Sequence, residues 1–180
     1  MDPRNSTDTT LHLLPLPDSA HDHDHHPADI FATGTPLFIP LGAGLVTGIR
    51  ETGPEGTREL TTDDLVSRDT TVGGLWADAA LTMLATLGRL TATHGTALRQ
   101  RRLAEGVREV GVIDEPFPAA GLIAHPLLIR PTLRVLAGTP RISVTGSGRL
   151  LVLDDGATLP VLLDDDTCSP ALTLSDSALL

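Results

Sequence analysis

In the stretch TTVGGLWADAALTMLATLGRLTA, apolar positions recur in steps of three and four: Val72, Leu75, Trp76, Ala79, Ala80, Met83, Leu84, Leu87 and Leu90. A period of about 3.6 residues puts them on one face of an α-helix. Thr70 or Thr71 offers the N-cap hydroxyl, and Asp78, Thr82, Thr86 and Arg89 fall on the outer face. Gly73 and Gly74 weaken the first turn and leave room for another backbone to come close. Trp76 lies on the stripe and is read as a core residue.

Upstream of this helix the pattern shortens. Leu37 to Ile39 and Leu45 to Ile49 are apolar runs divided by Gly42 and Gly44, and Gly53, Pro54 and Gly56 follow as a turn cluster. Residues 36–62 therefore predict two or three strands joined by tight turns. Downstream, residues 96–105 predict a second, thinner helix ended by Gly106. Val110 and Val112 alternate as a strand, and EPFPAAG reads as a loop. Pro126 and Pro131 are incompatible with one long helix, so a short helix is predicted from Pro131 to Gly138. Ile142 and Val144 alternate in RISVTG, and RLLVLDDGATLPVLL reads as a hairpin turning at Asp155-Gly156.

This order predicts an α+β fold: a small, mostly antiparallel sheet packed against one long amphipathic helix. No repeat of 20–50 residues is present. The expected division is a flexible His/Asp/Pro-rich tail over 1–33, a single α+β domain over 34–166, and a C-terminal tail over 167–180. Within the first tail, LHLLPLP (11–17) has Pro15 and Pro17 to hold it extended. It reads equally as a docking segment for a partner or as an edge segment packed on its own domain.

Composition narrows the picture. The chain is 41% hydrophobic with three Phe, one Trp and no Tyr, so its core is aliphatic. All 13 basic residues are Arg. Codon usage in a GC-rich genome is the first explanation, ahead of escape from a lysine-directed modification or a salt-adapted acidic proteome. The net charge is −10, and the one basic cluster, Arg99 to Arg102, reads as a solvated helix face. Nucleic acid and anionic membranes are therefore excluded as expected partners, because both require a basic footprint. A single cysteine, Cys168, excludes a disulfide within the chain and fits a reducing compartment. With neither a secretory leader nor an apolar run of the roughly 18–20 residues a membrane span needs, a cytoplasmic location is expected.

The layout of a strand pair, LTTDDL, a short loop and LWADAALTML, then HPLLIRPTLRVLAG before a strand, resembles the YtpQ-like family of uncharacterised bacterial α+β proteins. The likeness runs from Leu37 to Val144 and implies the fold class, since that family supplies no activity. Ala85 to Leu87 stand where an Asn-Leu pair would belong.

Candidate chemistry is sparse. His21, His23, His25 and His26 alternate with Asp22 and Asp24 in HDHDHHP. Imidazoles and carboxylates could gather Zn²⁺ or Ni²⁺, but nothing around them fixes a geometry. They are read as a polar tail, and no metal or cofactor site is assigned. His94 suits the negative end of the long helix. His125, before Pro126, reads as a buried histidine with one hydrogen bond or as an acid/base group. Gly42, Gly44 and Gly48 do not form a phosphate loop. TGSGR (145–149) is a strand connection and not a nucleophile elbow. Asp154, Asp155, Asp164, Asp165 and Asp166 read as polar turns, and Cys168 has no assignable base. No nucleophile, base and orienting group share a frame, so no catalytic residue is assigned. The expected function is a non-catalytic accessory or protein-interaction subunit of a larger bacterial assembly, with another protein or a second copy as partner. The alternatives are a metal-handling protein using the His-rich tail, and an enzyme whose cleft gathers His125, Arg130 and Arg134.

Overall fold

The structure is a computed structural model that describes residues 10–17, 34–42, 44–136, 140–158 and 168–173. The chain is α+β, with two antiparallel sheets rather than the single small sheet expected. The strands within 36–62 and those at 107–112, 141–144 and 150–153 were legible one by one. Their partition depends on pairing between distant segments, which local pattern does not encode.

In the first sheet, β3 (Leu45–Gly53) is central. Along one side runs β1 (Thr10–Pro17), in register from Thr10↔Thr52 to Pro17↔Leu45. The other side is shared by β2 (Phe38–Gly42) and β4 (Gly56–Glu59). Strand β1 corrects the expected 1–33 tail: LHLLPLP packs on its own domain. Its prolines fit because, among the described residues, β1 pairs on one side only, and on the other a missing N–H costs no ladder bond. Leu13 is fully buried, and its N–H donates to Met83 Sδ at 3.3 Å instead of to a further strand. Gly42 and Gly44, at φ 83° and 73°, carry the turn between β2 and β3, and the register shifts between Pro40 and Gly42.

Two helices follow. α1 (Thr62–Ser67) is pinned at its start by Asp64, whose Oδ2 accepts from Thr61 N at 2.8 Å. The same carboxylate takes two bonds from Arg58, at 3.0 and 2.8 Å. α2 (Val72–His94) is the helix the periodicity predicted. Leu75, Ala79, Ala80, Met83, Leu87 and Leu90 are buried, and so is Thr86, expected outside. Thr71 Oγ1 accepts from Gly74 N at 3.1 Å, and Gly95 closes the helix in the left-handed region at φ 77°. A Cβ on Gly74 would lie 2.7 Å from Thr70 Oγ1, so this glycine makes room for the capping hydroxyls and not for a second backbone. Trp76 packs against the core and donates from Nε1 to Ala124 O at 2.9 Å.

The second sheet runs β5 (Leu98–Ala104), β6 (Val107–Val112), β8 (Leu150–Leu153), β7 (Arg141–Val144), β9 (Leu172–Thr173). β5 replaces the helix expected over 96–105, and Gly106 (φ 68°) turns a hairpin instead of ending a helix. Cross-strand partners decide the matter: Arg101 binds Glu109, and Gln100 accepts from Arg108. A 3-10 helix, Ala119–Ile123, wedges between β1 and α3. α3 (Pro126–Leu136) begins five residues earlier than expected and holds Pro131 in its interior. The carbonyl that Pro131 leaves unbonded belongs to Leu127, which is 44% exposed. The expected stop, Gly138, lies outside the described residues, as do the return strand of the Asp155-Gly156 hairpin and Asp164 to Asp166. The Asp155-Gly156 turn itself is present, closed by Ala157 N donating to Asp154 O at 3.0 Å. The expected tail over 167–180 is also corrected in part. Cys168 bridges to Thr145, Ser169 is buried, and β9 pairs with β7. Ser143 and Val144 bind Ser169 at 2.8 and 3.0 Å, and this holds the returning chain in place. Among the described residues, no helix is long and apolar enough to cross a membrane.

Candidate binding cleft

The two sheets enclose a cleft of about 790 Å³. The first sheet contributes one face through strand alternation. His12 and Arg50 are direct cross-strand neighbours on β1 and β3. Thr52 and Thr57 pair next to them, their hydroxyls 2.8 Å apart. Arg50 Nη2 donates to Glu59 Oε1 at 2.8 Å.

The second sheet supplies the opposite side. Arg99 and Arg101 alternate on β5, opposite Gly111 and Glu109 of β6. A Cβ on Gly111 would sit 3.0 Å from Arg99 Nε, so the glycine lets that side chain lie across the strand. Glu109 Oε2 accepts from Arg101 Nη2 at 2.6 Å, and Oε1 accepts from Arg149 Nε at 2.8 Å. These bonds, Arg149's first, hold the Glu109 carboxyl below its usual range. Arg99 pairs with Glu115 at the end of a turn in which Asp114 and Glu115 both have positive φ, 59° and 47°. Pro116 and Pro118, on either side of the buried Phe117, line an apolar wall, while Val110 and Val112 alternate with Glu109 and Gly111 and pack into the core. In a chain of net charge −10, four guanidiniums face two carboxylates in this lining.

His12 is 4% exposed, and its Nδ1 has no hydrogen-bond partner among the described residues. Burial, then the neighbouring Arg50, lowers its pKa to about 4. The imidazole is therefore neutral at pH 7, which permits it to stand beside a guanidinium. A consequence is measurable. The unfolded chain takes up this proton near pH 6.5, while the folded one resists until about pH 4. Stability linked to His12 is thus complete above pH 6.5 and is lost as the pH falls towards 4. The expected loss is on the order of 3 kcal/mol across that window, with His125, also lowered by burial, adding in the same direction. Melting temperatures from pH 7 to 4 should fall less steeply in His12→Gln than in the parent chain. Parallel curves would show that His12 does not carry the effect.

The residues singled out in the sequence lie elsewhere. His125 caps α3: its Nδ1 accepts from Leu127 N at 3.1 Å, and its ring meets Trp76 edge-on at 4.6 Å between centroids. Arg130 and Arg134 are exposed on α3 and do not line the cleft with it. His94 ends α2 with Nε2 3.4 Å from Asp114 Oδ2. His21, His23, His25 and His26 lie outside the described residues. The segment TGSGR does connect β7 to β8, but Ser147, Gly148 and Arg149 also line the cleft. Gly148 (φ 81°) has no room for a side chain, since a Cβ would lie 2.5 Å from Leu14 Cδ1. The cleft was missed because its arginines come from segments far apart in sequence. The alternation of Arg99 and Arg101 was the one local signal, and it was read as a helix. Comparison with family models, curated proteins and solved structures finds no match.

Proposed function

We propose that the chain is a non-catalytic accessory subunit of a cytoplasmic assembly, and that it engages its partner protein through the cleft between the two sheets. The observation that carries this reading is the convergence of Arg50, Arg99, Arg101 and Arg149 on one concavity in an acidic chain. A concentrated positive site on a negative surface selects an anionic group and repels the rest of the acidic pool. The mouth arginines are well exposed, Arg99 at 59% and Arg101 at 69%, and so are open to a partner.

Native mass spectrometry of the protein recovered from its own cells tests the reading. The parent chain should carry a stoichiometric protein partner, and the double substitution Arg99→Gln and Arg101→Gln should reduce its recovery at least tenfold. Equal recovery would remove the cleft from the interaction. A bare chain in both samples would end the accessory-subunit reading.

A further inference from the structure

The cleft is divided by chemistry. On its floor are two buried nitrogens without hydrogen-bond partners among the described residues, His12 Nδ1 and Arg50 Nε. They belong to adjacent cross-strand residues. An isolated unpaired polar atom in such a place is costly, and here two stand together beside a permanent positive charge. Arg50 Nε is always a donor, and His12 donates from Nδ1 in one of its neutral tautomers. The group that satisfies both is an acceptor with negative charge. The adjoining wall has the opposite character: Pro116 and Pro118 are partly exposed there, and Phe117 between them is buried in the core. The volume, about 790 Å³, is that of a site for a small organic molecule or a short segment and far exceeds one inorganic ion.

All four arginines are already engaged, but unequally, and Arg50 itself bonds Glu59 through Nη2. Glu109 is 18% exposed and shared by Arg101 and Arg149. Glu115 is 73% exposed, and among the described residues its carboxylate bonds only the exposed Arg99. An exposed pair of this kind contributes little, and its backbone is held at positive φ, which a glutamate rarely adopts. Glu115 is thus the carboxylate at the mouth that an arriving anion most readily displaces, and the one that most repels it.

We propose that the cleft binds an amphipathic oxyanion, with a carboxylate or phosphate end on His12 and Arg50 and an apolar body along Pro116 and Pro118. The inference rests on the cleft being the recognition site and names the chemistry it recognises. The oxyanion belongs either to a free small molecule or to an acidic residue of a partner.

Isothermal titration of the purified full chain with octanoate, octyl phosphate, octanol and inorganic phosphate tests it. Octanoate or octyl phosphate should bind, with octanol and inorganic phosphate at least tenfold weaker. Arg50→Gln should weaken the amphiphile at least tenfold. Glu115→Gln, an exposed change that leaves the floor intact, should tighten it severalfold. Equal binding of octanol would reduce the site to an apolar surface, and equal binding of inorganic phosphate would reduce it to a charge patch. Either result, or no binding by both amphiphiles, overturns the proposal. If no amphiphile binds while recovery of a protein partner still depends on Arg99 and Arg101, this inference fails and the accessory-subunit reading stands. If octanoate or octyl phosphate binds as stated while no partner is recovered, the oxyanion comes from a free molecule.

Discussion

A chain that begins at Thr35 is expected to lose its cooperative unfolding transition. Such a chain lacks β1, and β1 is structural. Leu13 and Leu14 are 0% and 4% exposed, and β1 covers the whole side of β3 from Leu45 to Thr52. It also packs on α2, with the Leu13 amide on Met83 Sδ. Truncating one buried leucine costs about 2–5 kcal/mol, against a total of about 5–15 kcal/mol for a typical domain. Removing both leucines, with the ladder bonds, exceeds what the rest can absorb. The near-ultraviolet signal of Trp76, which sits on α2, should flatten, and urea should produce no sigmoidal transition. A sharp transition at the parent midpoint would show that β1 is dispensable.

Gly121→Ala should be the most damaging single methyl in the protein. A Cβ at Gly121 would lie 2.5 Å from Leu13 O and 2.5 Å from Met83 Cε. The methionine can swing aside, being unbranched and flexible. The carbonyl cannot, because it is backbone of a strand fixed by β3 on its other side. Either β1 or the 3-10 helix must move, and both help to line the cleft through His12 and Ala119. Overpacking of this kind costs about 1–3 kcal/mol and occasionally more. We expect the upper end, read as a lowered urea midpoint with an unchanged slope. Gly88→Ala is the control, since nothing lies within 4 Å of a Cβ there. Equal effects at the two glycines would mean that crowding is not the cause.

The sequence was most informative where one element decides its own state. The stripe from Val72 to Leu90 located α2, and Gly42, Gly44 and Gly56 marked real turns, while Gly48 lies inside β3. It misled where partners decide. Residues 98–104 carry a helix-like mixture of Leu, Arg, Gln and Ala, yet β6 recruits them through cross-strand ion pairs. Pro131 was read as a helix start, but α3 holds it in its interior, where Leu127, four residues earlier, is exposed. LHLLPLP read equally as a docking segment or as an edge segment on its own domain, and only pairing with β3 decides for the second. The cleft is a product of pairing. Arg50 and Arg149 join the pair Arg99 and Arg101 only through pairing, and His12 gains its character only when β1 meets β3.

Strand β1 ties the core and the cleft together more tightly than proximity alone. His12 and Leu13 are consecutive and therefore point to opposite faces of the sheet. A slip of one residue against β3 would send the imidazole into the aliphatic interior and push Leu13 into the cleft. No sliding intermediate keeps one and spoils the other. Any selection that preserves the packing of Leu13 against Met83 and Ile49 therefore preserves the placement of His12 as well. The cleft's floor is proofread by the hydrophobic core, without any contact of its own being required to set it.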